Sequence, residues 1–197
     1  QQGYGRSQRM SIEKDCVEIT AGLYNGKTTG APLCLVINNA DFSDKGSFTK
    51  FRPGHADFAG STKYNLDDLR PVLERASARK TAIEVAVGAV AKLLLKEFNI
   101  TGHSNILQIG TATENFEQEI DRIKALGDST GGKFEVIFEN LPVGLGSYVH
   151  YDRCLDGELA KVVMSIGGVK VVEIGENPIG KLGSEYHDEI ILKDGII

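Results

Sequence analysis

A layered domain built from both helices and strands, α/β or α+β, is the fold class this 197-residue sequence predicts. Three observations carry the prediction. Helical and strand-like segments alternate along the second half of the chain, and repeated helix-then-strand blocks imply packed layers. The stretch from about Pro71 to Phe98 reads as one long helix, apolar nearly all round, so it should be covered on more than one side. Lys133 to Glu139 alternates, with Phe134, Val136 and Phe138 on one face, as a half-buried strand does.

The elements follow in chain order. The opening QQGYGRSQRM is polar, glycine-rich and carries two arginines. Cys16 to Thr20 and Pro32 to Ile37 are rich in β-branched and apolar residues and read as strands. Residues 39–64 read as a long irregular connection, and loops of that length are usually functional or disordered. The long helix begins at Pro71, a residue suited to a first helical turn. Ile83, Val87, Val90 and Leu94 recur along it at helical spacing, and Glu84 is the only charge between Lys80 and Lys92. Ser104 to Ile109 looks like a strand. Phe116 to Leu126 is an amphipathic helix on Phe116, Ile120 and Ile123, stopped by Gly127. After the strand at Lys133 come a helix at Asp156 to Ile166 and strands at Val169 to Ile174 and Glu189 to Leu192. No low-complexity segment or short repeat interrupts the order.

Composition narrows the function. A hydrophobic fraction of 41% with 25% charged residues is that of a soluble globular chain. No run approaches the ~18 consecutive apolar residues of a membrane span. A net charge of −5 argues against general nucleic-acid binding, so any anion site must be a local cluster of cations. Cys16, Cys34 and Cys154 lack C-x-x-C spacing and read as reduced, mostly buried thiols of a cytoplasmic protein. The chain opens on Gln1-Gln2 without an initiator Met. It ends on ILKDGII, where the Asp194-Gly195 turn leaves only two residues to return. Both ends read as truncations, of one domain spanning 1–197.

Three clusters could do chemistry. Arg6 and Arg9 sit among glycines in GYGRSQRM, where backbone can approach a ligand and guanidinium groups can bind phosphate or carboxylate; a flexible basic tail is the other reading. FRPGHADFAGSTKY shapes its backbone with Pro53-Gly54 just before His55, with Arg52 three residues earlier. His55 is either a proton-transfer group on a site loop or a structural, solvated histidine. In ERASARKT, small residues leave room beside Arg75 and Arg79, which share a face if the helix runs through; the alternative is a solvated helix turn with Glu74 as ion-pair partner. GDSTGG could be an anion nest, but lacks the lysine and spacing of a P-loop and reads as a helix-to-strand connection. His103, His150 and His187 have no metal-ligand spacing.

Taken together, GYGRSQRM, TTGAPLCLVINNAD, FRPGHADFAGSTKY, RPVLERASARKTA, GDSTGG, LPVGLGSYVHYDRCLDGELAKVVMSI and GSEYHDEI resemble chorismate synthase, in family order and over essentially the whole chain. The resemblance implies an α+β layered sandwich with helices packed between antiparallel β-sheets. It implies the 1,4-elimination of phosphate and the C6 hydrogen from 5-enolpyruvylshikimate 3-phosphate to give chorismate. It also implies reduced FMN, which passes electron density to the substrate and recovers it, and a homotetramer. By the same resemblance, His55 is the active-site histidine and donates a proton to the reduced flavin. Arg75, Ala76 and Ser77 match flavin contacts. Arg6, Arg9, Ala78 and Arg79 match substrate contacts, and Arg6 also matches an NADPH position of bifunctional members.

The chain departs from the family in five ways. The Ser-His-Gly signature with a second catalytic histidine, and an arginine just before GYGR, are not within these residues. Neither are the Lys-Pro-Thr-Ser-Ser flavin segment and the Arg-His-Asp of the family's C-terminal part. Lys80 stands where a glutamate is usual. The expectation is therefore a middle piece of the enzyme that cannot turn over alone, because positioned groups acting as a unit are lost together, with strand edges left exposed. The competing reading is a non-catalytic remnant that folds and binds FMN without turnover. A nicotinamide dehydrogenase is disfavoured, because no strand precedes the Gly3-x-Gly5 pair.

Overall fold

The structure is a computed structural model and describes residues 12–40 and 46–191. The chain divides into two compact units, Gln1–Asn140 and Leu141–Ile197.

In the first unit, β1 (Val17–Ala21) pairs antiparallel with β4 (Cys34–Ile37), with Val17 opposite Ile37 and Ile19 opposite Leu35. Between them lies a small hairpin of β2 (Leu23–Tyr24) and β3 (Lys27–Thr28). Its turn is Asn25-Gly26, both at positive φ, as a two-residue hairpin loop matching strand twist demands. Gly22 opens this excursion at φ +89°, and a Cβ there would lie 2.7 Å from the Pro32 carbonyl oxygen. Only glycine fits that corner.

Two short helices follow. α1 (Asp57–Tyr64) ends on Asn65 in the left-handed conformation. α2 (Arg70–Arg75) carries Pro71 in its first turn. The two helices pack closely: a Cβ on Gly60 would lie 2.5 Å from Val72 Cγ1. Leu69, at the entrance to α2, is 2% exposed, and its N–H donates to the Phe48 carbonyl at 2.8 Å. Asp68 Oδ1 accepts from the backbone N–H of both Phe48 and Arg70, each at 2.9 Å, which clamps the preceding strand of irregular chain onto α2.

The expected helix from Pro71 to Phe98 is broken. α2 stops at Arg75, Ser77 is extended (φ −62°, ψ 137°), a 3₁₀ turn spans Ala78–Lys80, and α3 runs Thr81–Glu97. The cause is local: the Ser77 hydroxyl accepts from the Arg79 N–H at 3.2 Å, offering the backbone a capped turn in place of helix. Arg75 and Arg79 therefore do not share a helical face. The cover expected for the long helix is also thinner than predicted. α3 packs against β4 and β5, and among its residues only Ala86 is buried, while Val85, Val87, Leu93 and Leu94 stay exposed.

β5 (Thr101–Ile109) pairs antiparallel with β6 (Gly132–Glu139), from Thr101 opposite Glu139 to Ile109 opposite Gly132. Phe134 and Val136 of β6 remain more than half exposed, so its apolar face is open. α4 (Phe116–Ala125) packs on β5. It is tied down by Glu119, which accepts from Arg122 at 2.7 and 2.9 Å and from the Thr111 N–H at 3.3 Å.

The second unit holds a 3₁₀ turn at Tyr151–Arg153, α5 (Leu155–Met164) and the short α6 (Gly183–Tyr186). The strands expected at Val169 to Ile174 and Glu189 to Leu192 are not formed among the described residues. Their β-branched composition is right, but a strand exists only where its N–H and C=O groups find a ladder partner, and no β-ladder forms there among the described residues. Helices with small two-stranded antiparallel sheets are thus the observed class. Cys16 and Cys34 are exposed and Cys154 half-buried, against the expectation of mostly buried thiols. No described helix is long and apolar enough to cross a membrane.

Candidate active site

The His55 loop is held from below. Arg52, Pro53, Gly54 and His55 form a turn closed by the His55 N–H donating to the Arg52 carbonyl at 3.3 Å. Proline at the second position and Gly54 at φ +72° are what a type II turn requires. Asp57 follows as the first residue of α1, with no exposed surface. Its carboxylate accepts three bonds from Arg52: backbone N–H at 3.0 Å, Nε at 2.9 Å and Nη2 at 2.9 Å. The guanidinium fork beside it, together with that backbone bond, holds the Asp57 pKa at about 2. Arg52 also lies 5.7 Å over the Phe48 ring. His55 itself is exposed, and its Nδ1 is 2.9 Å from the Pro53 carbonyl oxygen.

The second cluster surrounds a cleft of about 410 Å³ against β4. Its lining mixes apolar Leu35, Val36, Ile37, Ala82 and Ile83 with polar and charged Asn39, Glu74, Arg75, Ser77, Arg79 and Lys80. The broken helix supplies much of this lining: Glu74 and Arg75 come from α2, Arg79 and Lys80 from the 3₁₀ turn, and Ala82 and Ile83 from α3.

The cations are not equivalent. Arg79 Nη2 lies 2.5 Å from Asp15 and 3.5 Å from Glu13, Nε donates to Asn39 Oδ1 at 2.9 Å, and Nη2 to the Asn38 carbonyl at 3.4 Å. Asp15 and Glu13 keep it firmly protonated. Arg79 thus ties the start of β1 and the end of β4 to the helical wall, with most of its donors engaged. Lys80 pairs with Glu84 at 3.3 Å on the surface. Arg75 is exposed at the end of α2 and makes no side-chain hydrogen bond or ion pair among the described residues.

Of the predicted residues, the cleft gathers Arg75, Ser77 and Arg79; Ala76 and Ala78 lie between them in sequence but are not part of its lining. His55 is not in that lining either, although α1, which it precedes, packs on α2, which leads to Arg75. Arg6 and Arg9 lie outside the described residues. Sequence reading missed Glu13, Asp15 and Asn39 as partners of Arg79. The acids of SIEKD sit two apart just before a predicted strand, an arrangement that signals one shared side, but nothing in the sequence says which arginine meets them.

The chorismate synthase family profile matches residues 1–195. The chain belongs to the chorismate synthase family. It is 51% identical to the chorismate synthase of Caldanaerobacter subterraneus subsp. tengcongensis, over 98% of this chain and 58% of that protein. Against the chorismate synthase of Staphylococcus aureus strain Newman it is 43% identical, over 100% of this chain and 63% of the relative. A solved structure described as "Crystal Structure of Chorismate Synthase" superposes with a TM-score of 0.82 at 38% identity, covering 96% of this chain and 64% of that one. The chain spans about three-fifths of the length of the curated chorismate synthases it matches.

Proposed function

We propose that this chain is the flavin- and substrate-facing part of a chorismate synthase, a lyase that eliminates phosphate from 5-enolpyruvylshikimate 3-phosphate. The observation that carries the reading is the cleft beside β4, whose lining combines apolar Leu35, Val36, Ile37 and Ile83 with Arg75, Ser77 and Lys80, next to one acid, Glu74. A flat ring with a phosphate tail needs that pairing of surfaces, and a protein of net charge −5 must concentrate its cations to bind it. The residues present fit FMN: Leu35, Val36, Ile37 and Ile83 for the ring, and Arg75 with the Ser77 hydroxyl for polar contacts. Reduced FMN, when bound, would supply the electron density that lets phosphate leave.

The chain's own residues do the rest. Arg75, with its donors uncommitted among the described residues, binds an anionic group. Arg79, held by Glu13 and Asp15, presents what remains of its fork in a fixed direction. His55 holds the proton that is exchanged. The C–O bond to phosphate and the C6–H bond break, one new double bond forms, and the balance involves no net oxidation. A layered sandwich and a homotetramer belong to the same reading. The exposed Val85, Val87, Leu93 and Leu94 of α3 support it, as apolar surface that a second layer would cover.

The test is anaerobic turnover of 5-enolpyruvylshikimate 3-phosphate with chemically reduced FMN. It is run on these 197 residues and on a chain extended at both ends to the length of its relatives. Chorismate from the extended chain alone upholds the reading. If both fold and neither makes chorismate, the chain is a remnant, and flavin binding without turnover is the next measurement.

A further inference from the structure

We infer that the Arg52–Asp57 pair, with its carboxylate buried, positions His55, fixing it as the Nδ1–H tautomer so that Nε2 is the ring atom that exchanges protons with a ligand. The inference rests on the proposed role of His55 but is tested apart from it.

The argument starts from the acceptor. The Pro53 carbonyl oxygen, 2.9 Å from His55 Nδ1, can only accept, so Nδ1 must carry the hydrogen. In the neutral ring Nε2 then holds the lone pair; in the cation Nε2 carries the transferable proton. In water free histidine prefers the opposite tautomer, so this contact must be imposed by the turn. Proline removes one rotation, and Gly54 supplies the positive φ. What holds the turn to the fold is Asp57. Its carboxylate bonds both the backbone and the side chain of Arg52, the turn's first residue, and it begins the helix that the turn feeds. The pair therefore clamps the turn at both ends, with the carboxylate side wholly buried and the Arg52 side chain 37% exposed. An ordinary surface loop needs no such clamp.

The measurement is a long-range ¹⁵N–¹H correlation of the imidazole rings at a pH where they are neutral, without flavin or substrate. The His55 signals are assigned by their loss in His55→Gln. The expected result is a protonated Nδ1 and an unprotonated Nε2 at His55. A dominant Nε2–H form, or the mixture shown by free histidine, overturns the inference. Asp57→Asn should move His55 toward that mixture. Glu119→Gln, which breaks another ion pair built on a buried carboxylate, on α4, should leave it unchanged. A folded Asp57→Asn with an unaltered His55 signature refutes the positioning role. If Asp57→Asn does not fold, Arg52→Lys is read instead: it keeps a charge but loses the fork, and an unmoved His55 refutes the role equally. Turnover separates the two claims. If His55 shows the Nδ1–H form but His55→Gln leaves chorismate formation in the extended chain intact, the proposed chemistry fails while the positioning stands.

Discussion

Substituting Gly60 by Ala tests the contact that joins the two halves of the candidate site. Gly60 lies within α1, where alanine should improve stability by about 0.8–1.0 kcal/mol through helix propensity alone. The structure predicts the opposite sign. The new Cβ would lie 2.5 Å from Val72 Cγ1 and 2.9 Å from Cγ2. Carbon contacts settle at about 3.5–4.0 Å, so α1 and α2 must part by about 1 Å. Overpacking of that kind costs about 1–3 kcal/mol, leaving a net loss of about 0–2 kcal/mol once propensity is subtracted. Val72→Ala alone should cost about 1 kcal/mol, because its methyl groups are only half-buried. In the double variant the clash is gone and the propensity gain is kept. Urea unfolding followed by circular dichroism should therefore show the two substitutions compensating, with a coupling of about 1–3 kcal/mol. Additive effects within about 0.5 kcal/mol, or a stabilised Gly60→Ala single variant, would refute the packing argument. The same displacement carries the His55 turn, since α1 begins two residues after His55.

Acid should unfold the chain through two named carboxylates. Asp57 and Glu119 both sit at about 2, against ordinary values of 3.8 and 4.5, because Arg52 and Arg122 donate to them. A depressed carboxylate contributes stability that is fully present above its ordinary value and is lost as pH falls toward the folded value. The urea midpoint should drop between pH 4.5 and about 2, and Asp57→Asn and Glu119→Gln should each flatten that drop. A pH dependence identical in both variants and the parent would show that the pairs are not formed. Ser77→Ala removes the hydroxyl that accepts from the Arg79 N–H, and should cost about 0.5–2 kcal/mol as a lost cap does. Amide exchange at Arg79 should quicken in the same variant; unchanged protection there means the break between α2 and α3 does not depend on the serine.

What the sequence made legible depended on how local its physics was. Phe116 to Leu126 and Lys133 to Glu139 were readable because their periodicities, 3.6 and 2, are set by the elements themselves. The break at Ser77 was hidden because alanines and arginines around it are good helix formers, and a single side-chain-to-backbone bond decided the outcome. α1 was hidden for the converse reason. DFAGSTKY has weak propensity, and its glycine looks like a loop residue until Val72 is seen to occupy the space of a Cβ. The missing ladder at Val169 to Ile174 shows the limit of composition: β-branched residues describe a surface that suits a strand, but pairing is a property of the partner. The candidate site divides along the same line. Arg52, His55 and Asp57 were visible as neighbours because the turn that joins them is encoded by Pro53 and Gly54 within six positions. Arg79 and its acids were not, because Glu13 and Asp15 reach it across more than sixty residues of intervening chain. Which arginine keeps its donors for a ligand is therefore a tertiary fact. Under the proposed function, that fact makes Arg75, rather than the better-anchored Arg79, the cation with most donors left for an anionic ligand.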